Sequence, residues 1–498
     1  MRGVGVEHYS DFLQPPVRNA SVVGAHVYSH SGEFGPQVTD CQLPGRGISF
    51  AFKRIYRSTG HRSLGEMGRG WTFTYAKRLE RDDDTLVYHD GFGRVHRFTD
   101  CGEGRYAAPA GFYSVLETDG ERCQLKQRFG DVLVFDDPGL GGRLRAVQDR
   151  NGNALKFTQD DDALMVDDAL GHRIHIAFAD GLLARCTDHT GRAWNYIYDD
   201  SGCLVEVWQP ARSDSAESAC TRYGYDAHHR LVSVSDPNGN IVLRNRYDDR
   251  DRVVRQQHGD GAFDFEFHSP HNGAGACYQT RVRLKNGGRL TLEHDDAGHA
   301  TDHVVQVSAA SVRAGNGNGS VDVRTRSRYN AHGEVIERIY PAGSSTVQAF
   351  DEHNDDPRGR GNLVEVVHRP APTVDSDQQQ LRTVYDYEPR YQLVSSATDP
   401  RRARIQWEYD RQGNLSTLTY PSAKCYAVED GAGGHCAVET GPMIEQFEHN
   451  DAGQLIRRTD GRGARTEHYY HSLDTIGALR RTSPGATSTT RWETSPKP

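Results

Sequence analysis

Short runs in which apolar and polar residues alternate follow one another along most of the chain, and each run ends in a group of turn-forming residues. In the run 404–409, for example, Ile405, Trp407 and Tyr409 alternate with charged or amide side chains. A period of two residues is typical of β-strands that have one buried and one wet face. The pattern therefore predicts a series of short β-strands.

One turn phrase recurs between these strands: an aromatic residue or His, then Asp or Asn, a few turn residues, usually a Gly, and a branched aliphatic residue. One copy reads Tyr198-Asp199-Asp200-Ser201-Gly202-Cys203-Leu204, and other copies begin at Tyr225, Tyr247, His294, Tyr329, His353, Tyr385, Tyr409 and His449. The closest copies start a little over twenty residues apart. Repetition on this scale indicates an array of equivalent units.

Each complete unit also contains a second turn that is rich in Asp, Asn and Gly, such as residues 236–240. Asp and Asn side chains accept hydrogen bonds from backbone amides two residues on, and Gly supplies a positive φ. Two strands and two turns make a hairpin, so consecutive hairpins predict one long antiparallel sheet. We assign structural turn roles to Tyr198, Asp199, Gly202, Tyr225, Asp226, Asp236, Gly239, Tyr247, Asp248, Tyr329, Gly333, Tyr385, Asp386, Tyr409, Asp410, Gly413 and Gly453.

The composition favours a thin wall over a solid body. Only 36% of the 498 residues are hydrophobic, and 52 glycines and 23 tyrosines stand beside 4 methionines. The net charge of −9 is spread along the chain without a basic block, so we expect no nucleic-acid partner.

The nine cysteines form no CxxC pair, and the grouping of Cys425, His435 and Cys436 has poor spacing for zinc. We therefore expect no metal and no cofactor, and synthesis in a reducing cytoplasm. The N-terminus lacks the apolar core of a signal peptide, and no segment is apolar enough to span a bilayer. Export would need a specialised secretion system.

The recurring phrases resemble the YD repeats of the RHS family, which includes bacterial polymorphic toxins, the shell component of Tc toxins and teneurins. Three segments, 43–45, 52–58 and 68–72, resemble the module that precedes these repeats. The resemblance implies a hollow cocoon, in which a long β-sheet spirals around a cavity that holds a toxic C-terminal domain. The expected fold class is all-β, a spiralling antiparallel hairpin array that forms a partial RHS-type cocoon.

The expected organisation has four parts: an irregular lead-in (1–20), an N-terminal β module (21–130), the repeat shell (131–470) and a disordered tail (471–498). RHS proteins usually end in a plug with a self-cleavage motif built around Asp-Pro-x-Gly-Leu and a toxin. Here Asp137-Pro138-Gly139-Leu140 precedes the main repeats, and nothing after His471 resembles the plug. The chain is expected to be a truncated or split RHS protein.

The leading hypothesis for function is a non-enzymatic shell that encapsulates or chaperones a toxic or unfolded cargo for export from the bacterial cytoplasm. Its partners would be the toxin cargo or a downstream RHS half with plug and toxin, and a type VI-like secretion apparatus or adaptor. The His-Asp and His-Asn pairs fall at the turn position of the repeat, so we assign no catalytic residue.

Two rival hypotheses stay open. A carbohydrate-binding or adhesion module would stack sugars on exposed aromatic residues such as Trp194 and Trp407, although such residues usually stabilise a sheet across its strands. A sugar-cleaving enzyme would need two carboxylates that converge in a cleft outside the repeat positions.

Overall fold

The structure is a computed structural model and describes residues 22–160, 162–211, 218–269, 278–308, 320–372, 379–427, 437–470 and 476–482. These residues form β-strands and contain no α-helix. The four short 3-10 turns described are Ser58–Gly60, Arg128–Gly130, Pro138–Leu140 and Pro357–Gly359. The prediction of an all-β fold is therefore confirmed. In the described part of the chain, no helix is long and apolar enough to cross a membrane.

The first seven strands form three small antiparallel sheets, which we call the N-terminal module (residues 22–76). β1 pairs with β2, β4 lies between β3 and β7, and β5 pairs with β6. The strands are β1 (Val22–Val23), β2 (Val27–Tyr28), β3 (Gln37–Leu43), β4 (Phe50–Tyr56), β5 (Leu64–Gly65), β6 (Gly68–Arg69) and β7 (Trp71–Phe73).

All later strands except one hairpin belong to a single antiparallel sheet in which each strand pairs with its neighbours in the chain. Its strands are β8 (Lys77–Asp82), β9 (Thr85–Asp90), β10 (Val95–Asp100), β11 (Arg105–Ala107), β12 (Ser114–Thr118), β13 (Arg122–Gln127), β14 (Val132–Asp136), β15 (Leu144–Gln148), β16 (Ala154–Gln159), β17 (Ala163–Asp167), β18 (Arg173–Ala179), β19 (Leu182–Thr187), β20 (Ala193–Tyr198), β21 (Leu204–Trp208), β22 (Cys220–Tyr225), β23 (Leu231–Ser235), β24 (Ile241–Tyr247), β25 (Val253–His258), β26 (Gly261–His268), β27 (Gln279–Arg283), β28 (Arg289–His294), β29 (Ala300–Ser308), β30 (Ser320–Tyr329), β31 (Val335–Ile339), β32 (Ser345–Phe350), β33 (Leu363–Arg369), β34 (Leu381–Tyr387), β35 (Val394–Thr398), β36 (Arg404–Tyr409), β37 (Leu415–Thr419), and, after the separate hairpin β38 (Ala423–Ala427) and β39 (Ala437–Gly441), β40 (Ile444–His449), β41 (Leu455–Thr459), β42 (Arg465–Tyr470) and β43 (Ile476–Thr482).

The sheet winds as an open ribbon whose later turns lie on its earlier turns. We call β8 to β28 the first coil and β29 to β43 the second coil. The amide of Phe129 donates a hydrogen bond to the carbonyl of Tyr391 (3.1 Å), and Asn414 Nδ2 donates to Asn151 Oδ1 (2.9 Å) across 263 positions of sequence. These contacts join hairpin turns of the two coils, so the expected spiral is present.

The Asp of the recurring phrase closes its turn. Asp199 Oδ1 accepts hydrogen bonds from the amides of Ser201 (3.0 Å) and Cys203 (2.9 Å), and Gly202 has a φ of 78°. An Asp or Asn accepts two amides in the same way at Asp226, Asp248, Asp295, Asn330, Asp410 and Asn450. The left-handed residue is Gly in four of these copies (Gly298, Gly333, Gly413 and Gly453), and it is His229 or Asp251 in the two copies that lack Gly.

In the copies that begin with Tyr, the tyrosine hydroxyl joins its hairpin to the hairpin before it. Every such turn carries a β-bulge, as where Tyr198 lies opposite Leu204 after a register shift. A bulge leaves a backbone group outside the ladder. The hydroxyl of the next repeat Tyr donates to the carbonyl across that bulge, so Tyr225 bonds Leu204. The same bond joins Tyr198 to Leu183, Tyr247 to Leu231, Tyr329 to Ala300, Tyr387 to Leu363, Tyr409 to Val394 and Tyr470 to Leu455, at 2.7 to 2.9 Å.

One predicted turn lies two residues later than expected. Tyr385 and Asp386 belong to the interior of β34, and the bulge falls after Asp386. Tyr387 is the repeat Tyr, and Glu388 takes the place of Asp by accepting hydrogen bonds from the amides of Tyr391 (2.7 Å) and Leu393 (3.1 Å). The longer Glu side chain closes a turn that has one more residue, so the usual spacing after Tyr-Asp does not hold here.

The second turns of the repeat line the opposite edge of the ribbon. Asp236 Oδ1 accepts hydrogen bonds from the amides of Asn238 (3.0 Å) and Asn240 (2.8 Å), while Gly239 has a φ of 84° and open space around its α-carbon. Asp149, Asp168, Asp188, Asp399 and Asp460 close equivalent turns.

The N-terminal module lies against the inner face of the first coil, where a buried ion pair fixes it. Arg54 and Asp40 of the module form two hydrogen bonds, at 2.5 and 2.8 Å, and both side chains are almost fully buried. Arg54 also donates to the hydroxyl of Tyr223 (3.0 Å), and Tyr196 donates to Asp40 (2.9 Å). Burial alone would lower the pKa of Arg54, but Asp40 outweighs it and the pKa stands well above its usual value.

The structure divides the chain differently from the repeat pattern at both ends. The sheet begins at Lys77, because β8 to β14 pair in the same meander without the Tyr-Asp phrase, so the expected module 21–130 is divided between two bodies. In the expected tail 471–498, Ile476–Thr482 forms β43 and pairs with β42, which corrects the expectation of disorder for that segment. The remainder of the tail and the lead-in 1–20 lie outside the described residues.

Loss of one repeat hydroxyl should weaken the ribbon locally. We expect Tyr387→Phe to lower the free energy of unfolding by about 1 kcal/mol, because the carbonyl of Leu363 loses its partner. Tyr385→Phe, in the same strand, is the matched control and should change it by less than about 0.5 kcal/mol. Urea unfolding measures both. Equal effects of the two substitutions would show that the hydroxyl bond does not distinguish the repeat position.

Loss of the buried cation should detach the N-terminal module from the first coil. Arg54→Met leaves Asp40 buried without its partner and should cost about 3–5 kcal/mol. Arg54→Met combined with Asp40→Leu should recover most of this loss. Arg62→Met, at an exposed arginine paired with Asp251, is the control and should cost under about 1 kcal/mol. Urea unfolding monitored by Trp71 fluorescence measures these changes, and additive effects of the Arg54 and Asp40 substitutions would contradict the coupling.

Candidate functional site: the inner face of the sheet

The two faces of the ribbon differ in chemistry. In β36, half-buried Ile405, Trp407 and Tyr409 alternate with exposed Arg404 and charged or amide neighbours. The apolar positions lie on the side of the repeat tyrosines, which is the side that the module covers in the first coil. We call this side the inner face and the other side the outer face.

The outer face is polar and solvent-exposed, and ion pairs join its neighbouring strands. Such exposed pairs contribute little to stability, about 0–1 kcal/mol each. The pairs of the second coil include Arg324–Asp302, Arg328–Glu337, Arg382–Glu365, Arg404–Asp386 and Arg457–Glu448.

The inner face is buried in the first coil and uncovered in the second. One hydrophobic core runs from Val27 in the module to Leu292 in β28, and Val305 is the last residue packed against it. The apolar stripe itself continues through β29 to β42. Its members there are half-buried, including Val323, Phe350, Tyr385, Trp407 and Phe447. Within the described residues, nothing packs over this part of the stripe.

The inner face carries few charges and no grouped metal ligands. Glu445 and Arg458 form a bidentate ion pair (2.8 and 2.9 Å) on it. No cluster of three or more His, Cys, Asp or Glu able to hold a metal ion occurs among the described residues. This arrangement is suited to contact with another surface.

The phrases at His294 and His449 have turn geometry, whereas the copy predicted at His353 begins three residues earlier, at Phe350. Asp295 and Asn450 each accept two backbone amides, as the Asp of the other copies does. His294 Nε2 lies 3.0 Å from Ser29 Oγ of the module, and burial together with repulsion from His30 lowers its pKa to about 4. A neutral imidazole held in this way joins the module to the first coil.

The two tryptophans proposed for sugar stacking both lie on the inner face. Trp194 is only 6% exposed and belongs to the core under the module, with the Arg192 guanidinium over its ring at 5.8 Å. Its faces are therefore occupied by protein, which argues against a sugar platform on an outward surface. Trp407 is half-buried in the uncovered part of the stripe. A stacking role for Trp407 stays a prediction.

Sequence reasoning missed the buried pair of Arg54 and Asp40. A signal was present, because β4 reads Phe50-Ala51-Phe52-Lys53-Arg54 and places a charged side chain in phase with its apolar residues. An arginine in that position needs a buried anion. The identity of that anion depends on the register between β3 and β4, which the pattern alone leaves open.

Two family profiles match the chain. Residues 24–98 match a domain of unknown function (DUF6531), and residues 209–241 and 225–262 match the RHS repeat. The first match covers the module and the start of the sheet.

Several curated proteins share part of the sequence. The tRNA nuclease WapA of Bacillus subtilis is 26% identical over 243 residues, which are 44% of this chain and 10% of WapA. The double-stranded DNA deaminase toxin A of Burkholderia cenocepacia is 28% identical over 214 residues, which are 42% of this chain and 14% of that protein. The chain thus spans about a tenth of the length of these relatives.

Among solved structures, the crystal structure of TcdB2-TccC3-Cdc42 aligns with a TM-score of 0.37 and 13% identity, over 92% of this chain and 27% of that one. The RHS-repeat match falls on β22 to β26, where the ribbon carries the bulged turns that follow Tyr225 and Tyr247. The profile match, the relatives and the repeat geometry agree that this chain contains RHS, or YD, repeats.

Proposed function

We propose that this chain is a non-enzymatic part of a shell that encloses a toxic or unfolded polypeptide on the inner face of its second coil. One observation carries the proposal: the face that buries the N-terminal module in the first coil continues through the second coil with the same apolar stripe and without a cover. The module is the first occupant of the interior, and the cargo would be the second.

The chemistry of the uncovered stripe supports a polypeptide cargo. Tyr385, Trp407 and Phe447 offer apolar area along the stripe, whereas the outer face carries ion pairs between its strands. Large exposed apolar areas are unfavourable in water and usually mark interaction surfaces. An unfolded chain exposes apolar side chains throughout its length, so it can cover such a wall without a single defined epitope.

The matched relatives support a toxic cargo in particular. They are a tRNA nuclease and a DNA deaminase toxin, and each is far longer than the region that it shares with this chain. The shared region would then serve as the enclosure, and the toxic activity would reside in a part of the assembly that this region encloses. The enclosure acts sterically, because it keeps the cargo away from its targets until a secretion system exports it.

A charge placed on the inner face should impair cargo binding. The probe is reduced, carboxymethylated α-lactalbumin, a permanently unfolded chain, labelled for fluorescence anisotropy. We expect the intact chain to bind it and Ile405→Arg to bind it about tenfold more weakly. Gln406→Arg, the neighbouring residue on the outer face, is the matched control and should leave the affinity unchanged. A tenfold loss corresponds to about 1.4 kcal/mol.

Two results would contradict the proposal. One is a failure of the intact chain to bind the unfolded probe. The other is an equal loss of affinity in both variants, which would place the binding surface elsewhere. Circular dichroism and the melting temperature of each variant establish that the sheet is intact in the comparison.

A further inference from the structure

A hollow of about 610 Å³ opens on the inner face of the second coil, between β31 and β34. Val335, Phe350 and Leu363 form an apolar part of its lining, and Arg338, Thr346 and His368 stand beside them. Val335 pairs with the repeat residue Tyr329, and Thr346 pairs with both Arg338 and His368 across the strands. The hollow therefore faces the same interior as the repeat tyrosines. Its volume lies in the range of small-ligand sites.

Arg338 is a cation on a face that otherwise carries few charges. Its guanidinium is exposed, and the contact described for it is a long hydrogen bond from Nε to Ser327 Oγ (3.4 Å). None of the ion pairs among the described residues includes Arg338. The outer-face arginines nearby are different, because Arg328 and Arg369 both pair with Glu337 (3.3 and 3.9 Å). Beside the hollow, the outer-face residues Arg328 and Arg369 are thus ion-paired, whereas Arg338 on the inner face is in no ion pair of the described residues.

The other polar groups of the hollow are an imidazole, a hydroxyl, a second arginine and a buried carboxylate. His368 Nδ1 lies 3.0 Å from Thr346 Oγ1, which brings an imidazole and a hydroxyl next to Arg338. Arg128 enters from a turn of the first coil and donates to the carbonyl of Gly361 (3.0 Å). The carboxylate of the lining, Glu334, is 4% exposed and accepts a hydrogen bond from Asn330 (3.1 Å). The accessible charge is therefore cationic.

We propose that this hollow binds an acidic side chain of the enclosed polypeptide together with an adjacent aromatic or aliphatic side chain. The carboxylate would lie against the guanidinium of Arg338, which can donate two parallel hydrogen bonds to it. The neighbouring apolar side chain would cover Phe350 and Leu363. This inference rests on the proposed function, since it names the part of the cargo chain that the inner face of the second coil binds. Elsewhere the inner face offers apolar contacts, which a cargo chain could make in many positions. One specific binding site of this kind would limit those positions.

The test compares three fluorescein-labelled peptides that differ at one position: Gly-Gly-Glu-Phe-Gly-Gly, its Gln counterpart and its Lys counterpart. Fluorescence anisotropy with the full chain measures their affinities. We expect the Glu peptide to bind about tenfold more tightly than the Gln peptide, and the Lys peptide to bind most weakly. Added salt should reduce the preference for Glu, because it screens the charge on the exposed guanidinium.

Variants of the full chain assign the preference to the hollow. Arg338→Gln should abolish the discrimination between the Glu and Gln peptides, and Arg338→Lys should retain part of it. Arg328→Gln, on the outer face of the neighbouring strand, is the matched control and should leave the tenfold preference unchanged. Because Arg338 is exposed and has few contacts, its substitution should leave the melting temperature within about 2 °C of the parent.

The outcomes separate this inference from the proposed function. Equal binding of the Glu and Gln peptides, or an undiminished preference in Arg338→Gln, would overturn the assignment of the hollow while unfolded α-lactalbumin still binds. Failure of all three peptides and of α-lactalbumin to bind would overturn both. A preference that disappears in Arg328→Gln as well would overturn the assignment, because that arginine faces away from the interior.

Discussion

The hydrogen bond from each repeat tyrosine to the carbonyl across the preceding bulge is the interaction on which the ribbon depends. The Tyr-Asp turn creates its own bulge, and the bulge exposes a carbonyl that the following hairpin satisfies, as Tyr225 does for Leu204. Each repeat that begins with Tyr therefore completes the one before it. Bulges also bend and twist a sheet, and their regular recurrence on one edge gives the ribbon a consistent curvature. The phenol ring lies on the inner face, so the same residue marks the inside of the spiral.

The curved sheet encloses an interior, and the N-terminal module fills only one part of it. In the first coil the module fills it, with Arg54 and Asp40 buried between the tyrosines of β20 and β22. In the second coil the same alternation continues, but the wall has no packed partner in the described residues. The two coils therefore differ in what covers their inner face. The first coil and the module form a folded core, and the second coil extends from that core as a wall with an apolar lining.

Much of this architecture could be predicted from the sequence, because its signals are local. Alternation defines the strands, and Asp199 to Gly202 specifies a turn by its own hydrogen-bonding chemistry. The predictions from sequence were wrong or incomplete where the local chemistry was ambiguous, or where contacts join residues that are far apart in the sequence. Tyr385-Asp386 and Tyr387-Glu388 compete for one turn, and the longer Glu side chain decides it. The unpaired state of Arg338 and the contact of Asn151 with Asn414 depend on the winding of the sheet, which no short segment encodes.

We expect the inner face of the second coil to be open in the isolated chain and covered when a cargo chain is present. Hydroxyl-radical footprinting of the tryptophans, with and without an unfolded polypeptide, tests this directly. Trp407 should be oxidised in the isolated chain and protected by the polypeptide, while Trp194 under the module should be protected in both states. Oxidation of Trp407 that is unchanged by a bound polypeptide, or protection of Trp407 already in the isolated chain, would contradict it.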